Sequence, residues 1–440
     1  DLTVVKNSAA NTFTLANGDF SVGKLTNQGN VTLTAGEFSL TGEGSNASGA
    51  TINLANSTAA SLVVAEGASL QNQGDIGTAN TQGKIKVSGT LTNAPAVTGT
   101  SPVAAGTIKA AAVEVDGVLS TALDTASAAA KVYEVANTTI KTSGELQTSL
   151  NARRDGAPVS DQKPADALEI ANTIDLAGKI TAAGVEVQDY IVNATSGAFT
   201  LKADKTFKTV QVKDGEFKTD DADVTLSVLD VQGGTATVNA GTLNVTTLKT
   251  IATSGITVTD GTLATSLTGL GLKYDATAGF SNVASTAQVA GNSIVLGTSS
   301  LLDLDLGSVT EVTSAQLKGL TGLVSDDTKG LIDIGATKIK DVEAKIEGGK
   351  IAYTELSSIA GVTNDTIKSV TVTKVGALIS GKDAIYGTIE QGDDAAASKD
   401  FTITDISLTL TGTGNLVSYT NTTDRSEEHT SELQSPQNRV

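Results

Sequence analysis

Carboxylates are the side chains here whose spacing most invites chemistry. Asp220, Asp221 and Asp223 fall together in T-D-D-A-D-V, and several oxygen ligands on one flexible loop are what calcium takes. The segment lacks the G-G-x-G-x-D repeat of calcium-binding β-rolls, so a solvated acidic loop is the simpler reading. Asp303 and Asp305 alternate with Leu302, Leu304 and Leu306. That period of two puts the acids on the wet face of a strand and the leucines inside. The pairs Asp326/Asp327 and Asp393/Asp394 stand beside Gly and Ser in expected turns. A carbohydrate-cleaving site would need two or three carboxylates on neighbouring strands with aromatic platforms beside them, whereas the six tyrosines (133, 190, 274, 353, 386, 419) are scattered.

Other chemistries fall away on composition. There is no Cys, and the one histidine, His429, lies in R-S-E-E-H-T-S-E-L-Q-S at 425–435, whose character differs from everything before it. That string resembles the translation of a sequencing adapter, so 425–440 reads as a non-native tail. Removing it takes 2 basic and 3 acidic groups from 30 and 48, leaving 28 against 45, a net −17. Ser-His-Asp and Cys-His catalysis are thereby excluded from 1–424, as are His-bearing zinc sites. Val231-Gln232-Gly233-Gly234 lacks the spacing and the following helix of a phosphate cradle. Arg153 and Arg154 offer trypsin-like proteases a dibasic pair, although two solvated arginines are the plainer reading. No catalytic, cofactor-binding or metal-binding residue is assigned, no cofactor is expected, and the chain is read as not an enzyme.

The formal charge of −18 over 440 residues argues against nucleic acid and anionic membrane as partners. No apolar run approaches the roughly 20 residues of a membrane span. The chain opens D-L-T-V-V-K, which is not a signal peptide, and its lack of Met suggests that Asp1 is an internal start or a cleaved end. With 45 Gly, 5 Pro and 3% aromatic residues, it suits stacked layers of small β-branched side chains better than a globule. Phe is absent between Phe38 and Phe199, so Val, Ile, Leu and Ala must build the core there.

What must position these residues is a recurring unit, V-T-L-T-A-G-E-F at 31–38: two alternating apolar residues, a glycine turn, and an apolar residue two beyond the glycine. Phe13, Leu15, Gly18, Phe20 repeats it, as do Val210, Val212, Gly215, Phe217 and the sets around Gly241 and Gly261. A form one residue shorter centres on Gly89, Gly117, Gly144 (Ile140, Thr142, Leu146) and Gly178 (Ile174, Leu176, Ile180). Period-two alternation broken by glycine means strand, turn, strand. With Gly67 as a looser copy, the turn glycines from 18 to 261 are spaced 27 residues apart on average, within the range of stacked repeats. Leu25-Thr26-Asn27-Gln28-Gly29 returns as Leu70-Gln71-Asn72-Gln73-Gly74 and begins again at Leu91-Thr92-Asn93. Asn at equivalent bends either ladders its amides between layers or serves only as a turn former. Asn17-Gly18, Asp214-Gly215 and Asp260-Gly261 are also favourable hairpin turns. The shorter copies break hairpin parity, which favours a parallel β-helix.

The fold expected is all-β: a right-handed parallel β-helix (β-solenoid) with irregular coils over 1–265 and a less regular β-rich region over 266–424. Excursions are expected near 121–136, Ala-rich enough for a short helix, and at 151–166, an exposed loop. Residues 313–323 suit a short helix or a corner, Ala344, Ile346, Gly349, Ile351 is a late copy, and 401–410 returns to strand alternation. The strand-Gly-strand units, the L-x-N-Q-G pair and the Thr/Ala/Gly/Asn composition resemble the β-strand-repeat passengers of bacterial autotransporters and related surface adhesins. The resemblance covers 1–265 well and 266–424 weakly. It implies a secreted, non-enzymatic protein of the bacterial cell surface, attaching to host or bacterial surface ligands or to its own kind, with no membrane insertion by this segment. A surface-layer or matrix protein, and a polysaccharide-active β-helix or phage tail spike, are the other classes.

Overall fold

The computed structural model describes 1–5, 12–55, 59–93, 106–123, 132–148, 167–249, 255–283, 293–297, 299–313, 315–316, 319–320, 331–334 and 337–347, and beyond these the strand backbones at 350–353, 369–380, 386–391, 400–403, 406–411 and 418–421. It is all-β, and its main sheet is largely parallel. Two compact units, Asp1–Gly261 and Thr262–Val440, divide the chain.

In the first unit the alternating apolar residues stack in columns. One column runs in unbroken parallel register through Val22, Leu40, Val64, Val87, Val115, Ile140, Leu176, Leu201, Thr219, Val238 and Val258. None of the eleven is more than 5% exposed. A second column links Phe13, Val31, Ile52, Ile76, Ile108 and Tyr133, and resumes as Leu168, Tyr190, Val210, Leu229 and Leu248. A third links Leu2, Leu25, Gly44, Leu70, Leu91, Leu119, Leu146 and Ile180. The chain visits the columns in rotation, second, first, third, and one such round is the step from each strand to its partner. Inward apolar side chains of successive rounds bury one another, while the residues between them face out.

This register corrects three expectations. The first column spaces its rounds by 18 to 36 residues, with a mean below 27, because the glycines counted in the sequence pass over the round of Leu201; the motif also marks two different corners. Gly18, Gly36 and Gly215 join the second column to the first, whereas Gly89, Gly117 and Gly178 join the first to the third, and Gly241 and Gly261 follow the first-column residues Val238 and Val258. At Gly144 the inward pair is Thr138 and Ile140, and Thr142 is exposed. Asn17-Gly18 and Asp214-Gly215 close no hairpin, as the broken parity of the shorter copies argues, since the strands beside them pair in parallel with other rounds. Of the helix expected over 121–136, Tyr133 onward belongs to the strand Tyr133–Ile140. Residues 124–131, and the loop at 151–166 with Arg153 and Arg154, lie outside the described residues.

One true hairpin interrupts the third column. Thr181 and Ala182 pair antiparallel with Glu186 and Val185, across a turn in which Ala183 (φ 50) and Gly184 (φ 78) are both left-handed. Two positive φ values make the tight primed turn that matches strand twist, but a Cβ there costs roughly 1–2 kcal/mol. Ala183→Gly is therefore expected to raise stability by about 1 kcal/mol. A lower melting midpoint for this variant would show that the turn is not under that strain.

In the second unit, Thr262–Ser266 pairs in parallel with Leu301–Asp305, and that strand with Leu331–Asp333. Leu302 and Leu304 are buried and Asp303 and Asp305 exposed, as their alternation predicts. Residues 315–316 and 319–320 are helical. The late copy at 344–351 is a hairpin: Ala344 pairs antiparallel with Tyr353, and Ile346 with Ile351. Residues 401–410 form the strands Asp400–Ile403 and Ile406–Thr411, both parallel to Ser369–Ser380.

Candidate functional site

Inside the first unit, the third column carries a polar thread. Asn27 Nδ2 donates to Asn46 Oδ1 at 2.7 Å, Asn46 Nδ2 to Asn72 Oδ1 at 2.6 Å, and Asn72 Nδ2 to Asn93 Oδ1 at 2.6 Å. Asn93 Nδ2 ends the thread on Thr121 Oγ1 at 3.1 Å. All four asparagines are at most 3% exposed. Each turns the chain from the third column to the second, and the first three also donate to a backbone carbonyl there: Thr51 at 3.0 Å, Asp75 at 3.2 Å and Thr107 at 3.3 Å. Of the two readings of Asn27, Asn72 and Asn93, the amide ladder is the one present. Asn46 was missed, because it follows G-E-G-S rather than L-x. Asn27 and Asn72 are two rounds apart, with Asn46 between them.

The carboxylates are held by protein donors. Asp220 Oδ2 pairs with Lys202 one round back, and its Oδ1 accepts from Asn239 Nδ2 one round on at 2.7 Å. Asp223 Oδ1 accepts the Thr242 N–H at 2.8 Å, while the Asp223 N–H donates to Asp204 Oδ1 at 2.9 Å. Asp221, left-handed at φ 57, is exposed. Asp220 and Asp223 therefore each fasten three successive rounds, and the trio does not converge. Among the described residues no three His, Cys, Asp or Glu side chains come together to hold a metal ion. Asp326, Asp327, Asp393 and Asp394 lie outside the described residues.

Two tyrosines are core residues, which the scatter of Tyr in the sequence did not reveal. Tyr133 is fully buried with its hydroxyl 2.8 Å from Thr138 Oγ1. Tyr190 packs its ring 4.9 Å from Phe199 and 4.8 Å from Phe207. Burial pushes both phenols far above their ordinary range, so neither ionises near neutrality. Column position, not residue type, was the signal that could have found them, since Tyr133 and Tyr190 stand where other rounds carry Val, Ile, Leu or Phe.

Hydrogen bonds from Lys202 and then Asn239 hold the Asp220 carboxyl below its usual range, and its bond in turn raises Lys202. Burial pushes Glu145 up, but bonds from Lys179, Thr181 and Gln147 outweigh it and leave the carboxyl lowered. Lowered folded-state values mean stability that is present above the ordinary carboxylate range and lost as pH falls through the depressed values. Stability should therefore be flat from pH 7 to about 5 and fall below pH 4. Asp220→Asn should blunt the acid slope, and an unchanged slope would remove Asp220 from the account.

Among the described residues no helix is long and apolar enough to cross a membrane. No protein-family model, curated protein or solved structure matches the chain.

Proposed function

We propose that the three columns wind as a right-handed parallel β-helix, and that the chain is a non-enzymatic, secreted protein of the bacterial cell surface. It acts in attachment or aggregation, as an adhesin-like passenger. The observation that carries this reading is the eleven-residue column from Val22 to Val258, in which strand after strand pairs in parallel at one position. At ~4.8 Å per layer, eleven layers make a stack of roughly 50 Å, so such a scaffold would carry contacts along a length and not in one pocket. Outward Thr, Ser, Asn and charged residues would meet host or bacterial surface ligands through many weak bonds, and net negative charge would keep neighbours soluble.

The test coats beads with the full chain and measures their capture by bacterial and host cells, with electron microscopy of the same protein at a resolution that shows strand layers. Saturable capture, and three-sided stacked layers within the first unit, are expected. A first unit without such layers would sink the β-helix, and layers with no capture by any cell would sink the attachment role.

A further inference from the structure

We propose that the outward face of the third column docks a second copy of this chain, the two lying side by side and pointing the same way. This rests on the β-helix reading, under which residues in register share one face.

The outward row of that column is Thr26, Ser45, Gln71, Thr92, Ser120 and Gln147, in continuous parallel register. No member is charged, in a chain of net −18. Hydroxyls and carboxamides both donate and accept, so the row is complementary to polar neighbours of its own kind. Thr26, Ser45, Gln71, Thr92 and Ser120 carry side chains with no hydrogen-bond partner among the described residues. The inward asparagines of the same strands are, by contrast, bonded to one another.

The companion row on this face has Lys24 and Glu43 at one end, Glu145 and Lys179 at the other, and Ser69, Thr90 and Val118 between. The face is therefore neutral as a whole, and it is an approach along which two acidic chains do not repel. Its charge order also selects a direction. Antiparallel copies centred on Thr90 would set Lys24 against Lys179 and Glu43 against Glu145, all like charges. A two-fold axis along the stack instead lays each charged row over the partner's uncharged row, and closure of that symmetry fixes the level. Strands of three residues, ~10 Å long, over seven layers give roughly 340 Å² a side. That is under half of the ~800 Å² per partner of a stable complex. The contact is weak singly and accumulates where many copies share a surface.

Beads carrying the full chain should cluster, and Gln71→Lys with Thr92→Lys should reduce clustering at least tenfold. Thr237→Lys with Thr257→Lys, outward on the first column, should leave it unchanged, and circular dichroism should report the same fold for every variant. The chain has no Cys, so introduced thiols report proximity cleanly. A mixture of Thr90→Cys and Thr92→Cys chains should oxidise to the mixed dimer. Thr92→Cys alone linking to itself, or preferring Gln71→Cys, would mean antiparallel copies and overturn the proposal. Clustering indifferent to the lysines would overturn it as well. Electron microscopy of the wild-type chain separates these failures from failure of the β-helix, since stacked layers in the first unit without clustering sink only the docking surface.

Discussion

Asn46→Leu is expected to destabilise the first unit by about 2–6 kcal/mol, because it strands two buried polar groups at about 1–3 kcal/mol each. Asn46 accepts from Asn27 and donates to Asn72, both buried, and its amide also reaches the Asp75 carbonyl. Leucine fills similar volume, so little of the loss is a cavity. Asn17→Leu, at an exposed turn where the side chain bonds only the Gly18 N–H, serves as the control, with a change of under about 1 kcal/mol. Denaturant midpoints give the comparison, and hydrogen exchange should place the loss in the rounds holding Asn27 and Asn72. Equal effects of the two substitutions would show that the thread contributes nothing beyond turn formation. Asn46→Asp is a sharper variant, since a carboxylate has no proton to give Asn72. Its folded-state pKa would be raised, so its deficit relative to the parent should shrink as pH falls.

Gly36→Ala should cost several kcal/mol, and Gly18→Ala only about 1–2 kcal/mol. Both glycines are left-handed at φ 87, so both substitutions pay the same conformational strain. The difference is in what a methyl group would meet. At Gly18 nothing lies within 4 Å, whereas at Gly36 it would overlap the carbonyl oxygen of Gly18 in the adjacent round. The obstacle is backbone, which no rotamer change relieves, so the rounds would have to part. A small, equal loss at both positions would mean that the spacing between rounds yields easily.

Much of this was legible in the residues. Alternation such as Val31, Leu33 against Thr32 and Thr34 has a period of two whatever it packs against, so strand, inward face and all-β class follow from local chemistry. The wet face of Asp303 and Asp305 follows in the same way. So did the suspicion of an amide ladder, because L-x-N-Q-G repeats.

What stacks on what was decided only in three dimensions. Gly36 and Gly89 carry nearly the same motif yet turn different corners, and no residue near either says which. Asn46 joins the thread because Gly44 and Asn46 lie in register with Leu70 and Asn72, a match across 26 residues that insertions in the loops conceal. Tyr133 and Tyr190 are core for the same reason, and Asp220 became a fastener once rounds 18 or 19 residues away supplied Lys202 and Asn239. Strand and turn are short-range choices made by backbone and side-chain shape. Register is a long-range one, made where burying one apolar column against the next outweighs the entropy of closing loops of unequal length.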